Sequence, residues 1–179
     1  MLLAQRIERR FQELLDWLVE QGREEITQQG HVATGRGRAS LEGRIDKRDL
    51  QRLEGWILAE EYMVDPVDDG VKAGRVPFSG GRGRRQSKYI QGLIRWLRTV
   101  KPSLTDQERK SMAFAIGQTA KREGHPTRGS YRFSQNGRRT GWIQKGLETN
   151  EREITRRLRV EALVEGSLID TLLSASLNQ

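Results

Sequence analysis

The sequence predicts an α+β fold. An antiparallel sheet is flanked by a long N-terminal helix and a C-terminal helix, with a helical insertion at about residues 79–139. Three observations lead there. Apolar residues recur at helical spacing over residues 2–29, the period drops to two from Arg38 to Ala59, and helical spacing then returns with clear start and stop signals.

In the first block Leu3, Ile7, Phe11, Leu14 and Leu18 form an apolar stripe that Leu15 widens, while Arg and Glu fill the opposite face. This helix should end near "QQGH", where Gly30 can adopt the left-handed conformation that closes a helix. Ala39, Leu41, Gly43 and Ile45 then alternate with Arg38, Ser40, Glu42 and Arg44, the pattern of a half-buried strand. "DKRD" reads as a turn, and Leu53, Gly55, Ile57 and Ala59 continue a second strand, so the two runs suit an antiparallel hairpin. Pro66, Gly70, Gly74 and Pro77 make "MVDPVDDGVKAGRVPF" irregular or a short edge strand.

"SGGRGRR" (79–85) is a flexible loop by composition. Ile90, Leu93, Ile94 and Leu97 mark a short helix with Arg95 and Arg98 on its other face, stopped by Pro102. "TDQE" fits a capping box with Thr105 as N-cap and Glu108 three residues on. The helix it starts runs through Met112, Ile116 and Ala120 to Gly124, with Pro126 following. "PTRGSYRFSQNGRRTG" (126–141) is a glycine-rich, basic connection. From Trp142 the spacing is helical again through Leu147, Ile154, Leu158 and Ala162, although Leu158, Val160, Ala162 and Val164 also alternate as a strand would. The length of 179 residues suits a single domain, 1–179, with 79–139 as an inserted basic loop–helix–helix arm.

The net charge is +8, with a pI near 10.3 and a mean hydropathy of −0.74. The charge is uneven: no acidic residue lies between Asp69 and Asp106, nor from Gly124 to Leu147. Such fields favour polyanions or acidic protein surfaces over a neutral ligand. The absence of cysteine excludes disulfides and thiolate chemistry, and no stretch has the apolar length of a membrane span, so a reducing, non-membrane setting is expected.

Catalytic constellations are missing. Neither "TGRGRAS" nor "SGGRGRR" supplies the lysine and hydroxyl of a Walker loop, and the order helix, "GRGR", strand reverses a dinucleotide-binding unit. His31 and His125 stand beside helix-ending glycines and read as surface residues rather than ligands. Asp65, Asp68 and Asp69 lack the spacing of a calcium loop and suit an acidic interface. No cofactor or metal is expected, and no enzymatic activity. Trp56, Trp96, Trp142, Tyr89, Tyr131 and Phe133 have the chemistry to stack on bases, but each has apolar neighbours that favour core or interface packing.

The order of motifs resembles the tail-completion, or tail-to-head joining, proteins of tailed bacteriophages. Thr34, Gly35, Arg36, Arg38 and Ser40 match that family's T-G-R-x-R-x-S-type lead-in to its first strand, with Gly37 where the family pattern has a leucine. Tyr62, an aspartate at 68 or 69, Gly70, Pro77 and Phe78 follow in the family's order, and "GWIQKGLETNEREITRRL" resembles its closing helix. The resemblance covers roughly residues 1–78 and 140–179. It implies a virion structural protein, assembled in the host cytoplasm, forming an oligomeric ring (a hexamer in many members) at the neck or tail terminus. Its expected partners are other copies, the neck, connector or tail proteins, and double-stranded DNA passing through the lumen. On that reading Arg36, Arg38, Arg82, Arg84, Arg85, Arg138 and Arg139 are candidates for the lumen or a subunit interface. The alternative is a protein that binds nucleic acid without sequence preference.

Overall fold

The computed structural model describes residues 3–31, 33–49, 52–78, 87–146 and 149–157. It is α+β and mostly helical, with one two-stranded antiparallel sheet among the described residues. The chain divides into two compact units. The first holds α1 (Leu3–Gln28) as far as Gln21, the hairpin strands β1 (Glu42–Asp49) and β2 (Arg52–Leu58), and the helical residues 149–157. The second holds Gly22–Leu41 and Ala59–Ile143, including a short helix α2 (Arg36–Ala39), α3 (Lys88–Val100) and α4 (Asp106–Glu123).

In the first unit, α1 lies on the hairpin through glycine. β1 and β2 pair with Gly43 opposite Ile57 and Ile45 opposite Gly55. A Cβ on Gly43 would sit 3.0 Å from the Leu15 Cβ, and one on Gly55 would sit 2.8 Å from a Leu15 methyl. A side chain at either position would push against Leu15, so glycine at both favours the close approach of the helix. Leu14, Leu15 and Val19 are buried, whereas Ile7, expected on the same stripe, is 42% exposed. The hairpin carries no second layer among the described residues, so Trp56 (50% exposed) and Leu58 stand in solvent on its other face. Arg157 lies 4.4 Å over the Trp17 ring, joining residues 149–157 to α1. Glu153 accepts from both Arg156 and Arg157, whose guanidinium groups hold its carboxyl down to about 2.

In the second unit the largest apolar cluster joins Val76, Phe78, Ile90, Ile94, Leu97, Ala113 and Ala120. Residues 79–139 therefore supply much of this unit's core. The capping box forms as expected: Thr105 Oγ1 accepts from the Glu108 amide, and Glu108 reaches back to the Thr105 amide at 2.8 Å. Met112 is 38% exposed and Ile116 only partly covered, while Ala113, Gly117 and Ala120 are buried. The reason is steric. The Phe78 ring lies where a Gly117 side chain would be, with ring carbons 2.7 and 2.9 Å from a Cβ there, so the close approach selects small residues over the most hydrophobic ones.

Three further expectations need correction. β1 starts at Glu42 rather than Arg38, because residues 36–39 form one helical turn. "DKRD" is strand, not turn: pairing runs to Asp49 opposite Arg52, with an irregularity of register between Lys47 and Asp49. Residues 63–69 wind into a π-helical segment that includes Pro66, and Val71 makes a single bridge pair with His125. Gly30, at φ 76°, closes α1 as predicted. The "SGGRGRR" loop and the choice between helix and strand at 158–164 lie outside the described residues.

Candidate functional site

The lead-in residues 34–40 fold back on the segment 60–63. Gly35, at φ 72°, turns the chain into α2, and the Ser40 hydroxyl donates to the Gly37 carbonyl at 2.7 Å and accepts from the Glu60 amide at 3.2 Å. Gly37 is buried against Met63 and the Tyr62 hydroxyl, so a side chain there would displace both. Arg36 Nε donates to Glu60 Oε1 at 2.7 Å, and that carboxylate holds the guanidinium above its ordinary pKa. Arg38 donates to Thr27 Oγ1 at 3.3 Å and is otherwise exposed.

A second basic loop, residues 126–141, is braced to the end of α1. The Gln135 amide donates to the Gln28 carbonyl (2.7 Å), and Asn136 Nδ2 donates to Glu25 Oε1 (2.9 Å). Arg139 Nη1 donates to the Gln29 carbonyl at 2.7 Å, and His31 Nε2 donates to the Arg139 carbonyl at 3.0 Å. Burial pushes the Arg139 guanidinium below its usual pKa, and its Nε is buried without a hydrogen-bond partner. Arg139 is thus an internal brace of this unit. Arg138 points into solvent, while its amide is held by Ser134 Oγ and Asn136 Oδ1. Arg82, Arg84 and Arg85 lie outside the described residues.

The acidic trio separates by role. Asp65 and Asp69 are exposed, but Asp68 Oδ1 accepts from the Ile143 amide at 2.8 Å and its carbonyl accepts from the Gly141 amide. Asp68 therefore caps the helical residues that begin at Trp142, and burial raises its carboxyl pKa. The two histidines are half-buried rather than exposed. His31 is tied to Arg139, and His125 is hydrogen-bonded to the Tyr89 hydroxyl. Burial, then the Arg139 charge, lowers the pKa of each imidazole. Among the described residues no cluster of three His, Asp or Glu side chains could hold a metal ion.

Of the aromatic candidates, Trp142 is buried and donates from Nε1 to the Met63 carbonyl at 2.9 Å. Tyr89 is half-buried, whereas Trp56, Trp96, Tyr131 and Phe133 are exposed, Phe133 most of all at 61%. Sequence reasoning missed two features: the close fit of Gly37, and the bracing of the second loop by Gln29 and Asn136. No signal in the local pattern marks a polar residue whose partner is more than a hundred positions away.

No helix among the described residues is long and apolar enough to cross a membrane. No protein-family model, curated protein or solved structure matches the chain.

Proposed function

We propose that this chain is a structural component of a phage virion, an oligomeric ring at the neck or tail terminus that joins head or connector to tail and lets DNA pass. The observation that carries the reading is the packing of its two motif blocks. Residues 34–40 and Tyr62 belong to the stretches that resemble tail-completion proteins, and the chain packs them together through Gly37 against Tyr62 and Met63, the Ser40–Glu60 hydrogen bond and the Arg36–Glu60 pair. The exposed hairpin side chains Trp56 and Leu58 add support, since neighbouring copies in a ring cover such surfaces. The acid-free windows of the sequence supply positive charge of the kind that suits phosphates met without base readout. The role requires no catalytic step.

Mass spectrometry of purified virions tests location, and size-exclusion chromatography with light scattering tests assembly. The expected results are a stoichiometric virion protein and a closed oligomer. Absence from the particle ends the proposal.

A further inference from the structure

We propose that the braced loop 126–141 is a docking platform for single-stranded nucleic acid, whose bases stack on Phe133 and Tyr131 while Arg128, Arg132 and Arg138 meet its phosphates. This assignment is independent of where the protein sits in an assembly.

Four observations carry it. First, Phe133 is 61% exposed and Tyr131 42% exposed on the 3₁₀ turn Arg128–Phe133, so two aromatic side chains are offered to solvent on one short element. Second, the Arg132 guanidinium lies 4.7 Å from the centroid of the Phe133 ring. A planar cation stacked on one face of a ring leaves the other for a base, and the guanidinium is itself a stacking surface.

Third, no acidic residue lies between Gly124 and Leu147, and Glu123 and Glu25, whose carboxylates bond to the loop, are already engaged. Glu123 accepts from the Arg128 amide and pairs with Arg122, while Glu25 accepts from Gln29 and Asn136. Fourth, the platform is held in place: Gln135, Asn136 and Arg139 tie the loop to the last turn of α1 and to Gln29 just after it. A base that stacks on it does so without first ordering the protein, which removes an entropic cost of binding.

The occupant follows from the mixture of groups. An acidic peptide would use the arginines but has no need of exposed rings. A duplex offers phosphates but keeps its bases stacked on each other. Only a strand with unpaired bases uses both.

The test is fluorescence anisotropy of the full chain with a labelled twenty-nucleotide oligo-dT, a duplex of the same length and labelled polyglutamate, at several salt concentrations. Oligo-dT should bind most tightly. F133A should weaken it roughly tenfold or more with an unchanged salt slope, because stacking releases no counterions. F133W should restore binding. R138A should lower the salt slope by about 0.7, the value of one single-strand phosphate contact. Circular dichroism melts of each variant confirm that the fold is intact; R138A, whose side chain is in solvent, serves where F133A melts early. Oligo-dT that fails to bind, F133A binding it like the parent, or polyglutamate or duplex binding equally well would each overturn the assignment.

Discussion

The loops 33–40 and 126–141 are both rich in glycine, arginine and hydroxyl residues, yet they use them differently. In the first, Gly37 is buried and Arg36 is paired with Glu60, so the loop is folded inward onto residues 60–63. In the second, the backbone and Arg139 are turned inward, while Arg128, Arg132, Arg138 and two aromatic rings are left outside. The difference lies in the acids. The first loop has Glu60 within reach, whereas the second lies in an acid-free stretch to which Glu123 and Glu25 bond with carboxylates already shared with other groups. Whether an arginine of such a loop is paired within the fold or left outside thus depends on which groups of the fold come within its reach.

The largest effect should come from Gly37→Leu, which puts a bulky side chain against Met63 and Tyr62. Overpacking of this kind costs about 1–3 kcal/mol, occasionally more, and urea denaturation should show it in full. A wild-type midpoint would mean that the first loop is not seated as described. Asn136→Ala removes the brace to Glu25 from the second loop and should cost on the order of 1 kcal/mol, with faster amide exchange at residues 134–139. Unchanged exchange would show that the loop keeps its form without this bond.

Acidification should act on the second loop and spare the first, because His31 braces only the second. His31 and His125 both have folded pKa values below the ordinary 6.5. The unfolded chain then binds more protons than the folded one as pH falls below 6.5. Stability is fully present above that pH and is lost progressively toward the lower folded values. The melting temperature should fall through this window, and H31Q/H125Q should flatten the slope. The smallest effect belongs to Arg36→Ala. Its pair with Glu60 is solvent-exposed on the arginine side, so the thermal midpoint should barely move and the change should shrink in high salt.

Much of the architecture was legible from local pattern. The long first helix and its Gly30 stop, the hairpin, the α3 stripe of Ile90, Ile94 and Leu97, and the Thr105–Glu108 box all depend on neighbours within a few positions. The candidate site was legible only in part. Composition marked the basic loops, but nothing in it separated Arg138 in solvent from Arg139 in the interior, or Asp69 on the surface from Asp68 at a helix cap. Adjacent residues of like chemistry take different roles according to which distant groups meet them.

By itself, the sequence determined the periodicities, the caps and the charge windows, because each is set by side chains a turn or two apart. Tertiary structure alone decided which face of α4 is buried, which glycines are seats for Leu15 and Phe78, and which arginines remain outside. Those outcomes depend on shape and on partners brought close from far along the chain, and hydrophobicity or charge counted in sequence order contains neither.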